Sequence, residues 1–323
     1  MHSVFLHYPM QVPVKPIADQ PYMTYQDQST YYFVVPSAYS EEAALEWYSI
    51  ASYYHQQGFT NVTCPIPNIH NQFITTVGKE QYVVCYAYPS NFELEEGQML
   101  AAFQQIGFQY PYQPKEINHY GRWRQLWSNK TDQYELVYKQ LYQQRPANSI
   151  LRDTVNLFPY IVGLAENAIQ YLHVVEQERQ FSANDQPTIT FGRYQKEMKE
   201  DFIYSPTFIY DHPVRDLAEK IRHFMLEEEG LRHADCERFL RSYLSQIPLS
   251  AFGWKLLYAR LLFPIHLFDL VDQIQQTSRS TISMEDIITQ QHNYQQHLAS
   301  FFYQLGVDER DINGIQLDWL TNI

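Results

Sequence analysis

Three short β-type runs, YYFVV (31–35), QFITTV (72–77) and QYVVCYAY (81–88), fall within the first 90 residues, and most of the remaining chain carries helical spacing. VGKEQ supplies a hairpin turn around Gly78 between the second and third runs. A helix is expected between the first two. Ser40 is placed to cap it, Glu41 and Glu42 favour its positive end, and Gly58 can end it in a left-handed conformation. Ala44, Trp47, Ala51 and Tyr54 recur at helical spacing and give that helix one face to lay on the sheet. These signals predict a small α+β lobe over residues 1–90.

PSNFELEEG (89–97) breaks the last strand and reads as the crossing into a larger helical lobe, residues 91–323. Residues 111–122 and RPANS (145–149) read as loops. The strongest helix signal is 156–175, with Leu157, Ile161, Leu164, Ala168, Leu172 and Val175 at steps of three or four. After DQP (185–187), the strand-like PTITFG and DFIYSPTFIY suggest a hairpin-like pair, and helices then run to the end. The most apolar stretch, 248–272, is interrupted by Lys255, Arg260, Pro264, His266 and Asp269, so buried helices are expected there and membrane insertion is not. QQTSRSTIS (275–283) reads as a surface loop. A chain of 323 residues is long enough for two cores.

Charge narrows the partners. Lys+Arg 23 against Asp+Glu 36 leaves a net −13, which repels nucleic-acid phosphates and anionic lipid headgroups. Cys64, Cys85 and Cys236 are odd in number and form no C-x-x-C, which indicates neither a disulfide framework nor a zinc knuckle and fits synthesis in a reducing compartment. MHSVFLHYPMQVPVK lacks the pattern of a secretory leader. The 27 Tyr and 19 Phe supply amphipathic area that serves cores and interfaces alike.

Motifs for chemistry are missing. Backbone cradles for phosphate need closely spaced glycines, and the 11 glycines include no G-x-G. Neither G-x-S-x-G nor H-E-x-x-H occurs. His292 and His297 lie five apart, off the one-face spacing of a zinc pair, and read as solvated surface residues. The acidic runs at Glu93, Glu95 and Glu96, at Glu227–Glu229, and at Asp308, Glu309 and Asp311 read as solvated faces. No catalytic, cofactor-binding or metal site is assigned, and no cofactor is expected.

FPYIVGLAENAIQYL (158–172), DHPVRDLAEKIR (211–222) and IPLSAFGWKLLYARLLFP (247–264) carry a resemblance that spans nearly the whole chain. By them the chain resembles the YutH-type members of the spore-coat kinase-like family. That resemblance implies an α+β, bilobal, protein-kinase-like fold of the aminoglycoside phosphotransferase and choline kinase type, with a small antiparallel-sheet N-lobe and a mainly helical C-lobe. It places the catalytic region at 187–216. An active relative uses a strand lysine on the nucleotide phosphates, a catalytic aspartate, a magnesium-holding asparagine and a metal-binding aspartate. In this chain the lysine position falls at Val35. The H-x-D-x-x-x-x-N pattern lands on FGRYQKEM, so Phe191, Arg193 and Met198 stand for histidine, aspartate and asparagine. Tyr204 stands at the metal-binding aspartate, with Pro206 where many relatives have a second acid. Glu46 is of the type that pairs with the kinase lysine, and that pairing needs the lysine. Asp211, Arg215 and Asp216 are retained and expected to organise a helix start through charge-assisted hydrogen bonds.

Losing several charged groups together removes the electrostatic stabilisation on which such catalysis rests. The expectation is a noncatalytic, pseudokinase-like protein, made in the cytoplasm and associated with the endospore coat, that acts by binding other coat proteins. The alternative is a residual ATP-dependent small-molecule kinase using Lys196, Glu197 or Asp201.

Overall fold

The computed structural model describes residues 3–9, 15–17, 20–90, 94–144, 149–277 and 283–307. The chain divides into two compact units. One comprises Met1–Asn118 and Pro187–Asp211; the other comprises His119–Gln186 and His212–Ile323.

The first unit is built on an antiparallel sheet. Its strands are β1 (Lys15–Ile17), β2 (Met23–Asp27), β3 (Thr30–Pro36), β4 (Cys64–Pro65), β5 (Ile74–Val77) and β6 (Glu80–Ala87). They lie in the order β1-β2-β3-β6-β4, with β5 also paired to β6. Phe33, Val34 and Val35 of β3 face Cys85, Val84 and Val83 of β6 in register. Between β3 and β4 runs helix α1 (Glu41–Gln56), whose Ser40 side chain accepts from the Ala43 amide at 3.2 Å. Its buried face is Ala43, Ala44, Trp47, Ile50, Ala51 and Tyr54. Gly58 takes φ +94 and Gly78 φ +66, left-handed values that favour glycine at the helix end and the hairpin turn.

Helix α2 (Glu96–Phe108) and the antiparallel pair β7 (Thr188–Phe191) and β8 (Phe208–Asp211) belong to this unit as well. The expected crossing at 89–97 therefore does not coincide with the division into units. The reason is close packing. The Tyr54 hydroxyl of α1 donates to the Phe103 carbonyl at 2.8 Å, and the Thr188 hydroxyl of β7 donates to the Gln104 carbonyl at 2.7 Å. Tyr54, Phe103, Phe191 and Phe208 form one aromatic core with centroid separations from 4.3 to 6.2 Å.

The second unit is helical: α3 (Trp123–Gln144), α4 (Ser149–Gln177), α5 (Val214–Met225), α6 (Ala234–Leu244), α7 (Ala251–Leu262), α8 (Ile265–Thr277), α9 (Met284–Ala299) and α10 (Phe301–Gln304). Helix α4 starts seven residues before the expected 156, at the last residue of the expected RPANS loop, whose residues 145–148 lie outside the described residues. It carries Pro159 within it and buries Phe158, Ile161, Leu164, Ala165, Ala168, Tyr171, Leu172 and Val175. The apolar stretch 248–272 becomes α7 and α8, broken at Phe263 and Pro264. Lys255 in α7 is fully buried, its ammonium paired with Glu178 and donating to Gln180. Among the described residues no helix is long and apolar enough to cross a membrane. Residues 278–282 of the expected loop 275–283 lie outside the described residues, and Thr277 still belongs to α8.

His297 corrects an expectation. His292 is exposed on α9, but His297 is buried over Gly230, where an added Cβ would lie 2.1–2.5 Å from the imidazole. Burial pushes its pKa down from the ordinary histidine value. A Gln-rich helix gives no signal of which histidine turns inward.

Candidate functional site

The five positions where the resemblance places kinase chemistry all fall in the first unit. Val35, in β3, is 3 % exposed and sits opposite Val83 of β6. Phe191 closes β7 and is fully buried against Phe103, Tyr194 and Phe208. Arg193 is half-buried just past the strand, and Met198 is buried in the short helical turn Glu197–Lys199. Tyr204 is buried directly before the turn Ser205–Thr207.

Tyr204 has a fixed backbone. The Ile203 amide donates to the Asn61 carbonyl at 3.0 Å, the Thr63 amide to the Ile203 carbonyl at 2.8 Å, and the Ser205 amide to the Thr63 hydroxyl at 3.0 Å. The Thr207 amide and hydroxyl both donate to the Tyr204 carbonyl, at 3.0 and 2.7 Å. Its ring meets Tyr22 edge-on at 4.8 Å and Phe33 of β3 at 5.4 Å. Phe202 packs on Phe33 at 4.9 Å and on Tyr31 at 4.8 Å. Burial, with the neighbouring Tyr22 phenol and the Glu200 and Asp201 carboxylates, pushes the Tyr204 phenol well above its ordinary pKa, so it is neutral across the working range.

The nearby ionisable groups are engaged locally. Lys196 pairs with Glu200 at 2.6 Å, and the Glu197 carboxylate accepts the Gln195 and Lys196 amides at 2.7 and 3.0 Å. Lys199 pairs with Glu96 at 2.9 Å, and the same Glu96 carboxylate accepts from the Tyr194 hydroxyl. Asp201 is exposed. Glu46 turns elsewhere: its carboxylate accepts the backbone amides of Lys115, Glu116 and Ile117, at 2.6, 3.2 and 3.1 Å. Among the described residues no group of three or more His, Cys, Asp or Glu side chains has a metal-holding arrangement.

The retained segment straddles the division between units. Asp211 is fully buried in β8, opposite Thr188. Arg215 and Asp216 sit in the first turn of α5. The Arg215 guanidinium lies 3.3 Å from the His119 imidazole, and buried Asp216 faces Tyr243, whose phenol is raised by burial and then by that carboxylate. The polar centre of the second unit is one the sequence reading did not find. Asp185 accepts from the Ser250 hydroxyl at 2.6 Å and the Ser182 amide at 2.6 Å, and its Oδ1 lies 3.1 Å from His212 Nε2. The Val214 amide donates to His212 Nδ1 at 3.2 Å, which leaves Nε2 as the donor to Asp185 in the neutral ring. Burial would raise the Asp185 carboxyl, but the hydrogen bonds from His212, Ser250 and Ser182 outweigh it and hold the pKa below the ordinary carboxylate value. Its signal in sequence is the Ser182-to-Asp185 spacing of a capping box.

Residues 2–301 match the family described as Spore coat putative kinase YutH. The chain is 31% identical over 301 residues, 91% of its length and 86% of the relative's, to the endospore coat-associated protein YutH of Bacillus subtilis (strain 168). Among solved structures it is similar to an aminoglycoside phosphotransferase from Alicyclobacillus acidocaldarius, with TM-score 0.61, 14% identity and coverage of 94% of this chain and 95% of that one. A microcompartment-associated aminopropanol kinase gives TM-score 0.56 at 13% identity, covering 94% of this chain and 97% of the other. The α+β architecture is thus that of the aminoglycoside phosphotransferase-like kinases.

Proposed function

The chain belongs to the YutH family of kinase-like spore coat proteins, and from that premise we propose that it is a noncatalytic protein of the endospore coat that works by binding other coat proteins. One observation carries the noncatalytic reading. Where phosphoryl transfer needs a lysine, two aspartates and an asparagine, this chain has Val35, Arg193, Tyr204 and Met198, and three of these four are packed into an apolar interior. No one of them offers a negative charge to a divalent ion. Of the groups that a residual kinase would recruit, Lys196, Glu197 and Asp201, the first two already serve their own turn and Asp201 stands exposed.

The coat location follows from the family and from the relative's name. Protein binding is supported by the surface: Tyr39, Tyr112, Tyr142 and Tyr303 stand 54 to 86% exposed on a chain of net charge −13. Tyrosine gives large amphipathic contact area at low conformational cost, which suits it to interfaces.

The experiment is calorimetry and thermal shift with ATP and magnesium, beside an assay of ATP consumption. A ligand present at about 100 times its Kd stabilises the native state by about 2.7 kcal/mol, worth several degrees in Tm for a chain of this size. Less than about 1 °C at millimolar nucleotide is expected, with no ATP consumed. A saturable, magnesium-dependent shift with turnover overturns the noncatalytic reading.

A further inference from the structure

We infer that Tyr22 and Tyr204 form an aromatic latch that pins the segment entering β2 onto the 202–207 segment, so that nucleotide is excluded from the first unit by occupancy as well as by missing charge. The inference rests on the noncatalytic reading and adds a physical device to it.

Tyr204 is the fixed post. Its neighbours Ile203 and Ser205 are hydrogen-bonded to Asn61 and Thr63, and its own carbonyl takes two bonds from Thr207, so its backbone is held while its ring packs edge-on against Phe33. Tyr22 is the other half. It lies on the half-exposed approach to β2, where its carbonyl accepts the Thr24 hydroxyl at 2.9 Å. Its ring meets Tyr204 edge to face at 4.8 Å, with an interplanar angle of 74°. Gln20 adds a second, longer contact, its Oε1 3.4 Å from the Tyr204 hydroxyl.

Behind the latch the packing is continuous. Tyr204 rests on Phe33 of β3, Phe33 on Phe202, and Phe202 on Tyr31. The strand that carries the lysine position and the segment that carries the metal position are therefore joined through rings. A triphosphate with a divalent ion needs charged or strongly polar ligands between such elements. Here the contact is made of neutral aromatic surface, and the Tyr22 and Tyr204 phenols are both pushed above their ordinary pKa by burial.

Hydrogen exchange on the full chain tests the latch. Tyr22→Ala and Tyr204→Ala are each expected to speed exchange of the amides in 20–27 by about tenfold. The double variant should be no faster than the faster single, since both remove one shared contact. Tyr204→Phe keeps the ring and should stay within about twofold of the unaltered protein. Should Tyr204→Ala lose its fold, Tyr22→Ala carries the test alone, because Tyr22 is half-buried on a connecting segment. Unchanged exchange in Tyr22→Ala, or effects that multiply in the double variant, overturns the latch. Protection of 20–35 by millimolar ATP and magnesium in the unaltered chain overturns it too. Unchanged exchange without ATP turnover sinks the latch alone, whereas turnover of ATP by the unaltered chain sinks the noncatalytic reading.

Discussion

Asp185 shows how much one buried carboxylate can hold together. Its oxygens gather Ser182, His212 and Ser250, residues from three separate stretches of the second unit, and the Tyr120 hydroxyl donates to its carbonyl at 2.6 Å. Removing the carboxylate leaves fully buried His212 without its acceptor and breaks the bonds from half-buried Ser250 and exposed Ser182, so Asp185→Ala should cost about 2–4 kcal/mol in urea unfolding. His212→Ala should cost a comparable amount, and the double variant less than the sum, because the two share one bond. The same group sets an acid limit. Its folded pKa is below the unfolded value of about 3.9. Its contribution is therefore complete above that unfolded value and fades as pH falls through the lower folded one. Asp185→Asn should flatten the slope of stability below about pH 4, read by thermal unfolding at a series of pH values. A variant with the unaltered protein's acid slope would remove Asp185 from this role. The Asp185 to Ser250 and His212 contacts were not legible in the sequence, since no local pattern links residues so far apart, and neither was the inward turn of His297.

At the scale of elements, legibility followed how local the cause is. Helix α1 could be read to its cap, because Ser40, the two glutamates and Gly58 act within a turn of the residues they fix. The pairing of β7 with β8 could be read from two apolar runs. The early start of α4 could not, because RPANS reads as a loop and Arg152 and Asp153 dilute the apolar stripe ahead of 156. The allegiance of α2 to the sheet-bearing unit hinges on close approach at Gly107. There an added Cβ would lie 2.3 Å from the Thr188 hydroxyl and 2.8 Å from the Ile189 amide nitrogen and the Tyr54 hydroxyl. Ala in place of Gly ordinarily favours a helix by about 1 kcal/mol. Gly107→Ala should do the reverse and cost about 1–3 kcal/mol, because the helix must back away from β7. Gly163, whose added Cβ meets nothing within 4 Å in α4, provides the control, and its alanine variant should be neutral or stabilising. Equal effects at the two glycines in urea unfolding would contradict the packing argument.

At the scale of the molecule, the noncatalytic proposal raises the question of whether kinase charges could be introduced at the positions the resemblance assigns to them. The resemblance assigns the kinase positions, and the packing shows what surrounds the residues found there. Val35 is covered within the sheet, Phe191 belongs to the aromatic core, Met198 is buried, and Tyr204 is held between Tyr22 and Phe33. Each reversion at these four puts a polar or charged group into apolar packing without a partner, which costs several kcal/mol apiece. Half-buried Arg193 is the position where reversion should cost least. Summed, the cost exceeds the roughly 5–15 kcal/mol that keeps an ordinary domain folded. The combined variant Val35→Lys, Phe191→His, Arg193→Asp, Met198→Asn, Tyr204→Asp should therefore show no cooperative urea transition and no near-ultraviolet circular dichroism. Arg193→Asp alone should retain both. A folded five-site variant would mean that the interior still accommodates charge, and one that also bound magnesium and ATP would mean that only the side chains had been lost and the slot itself kept.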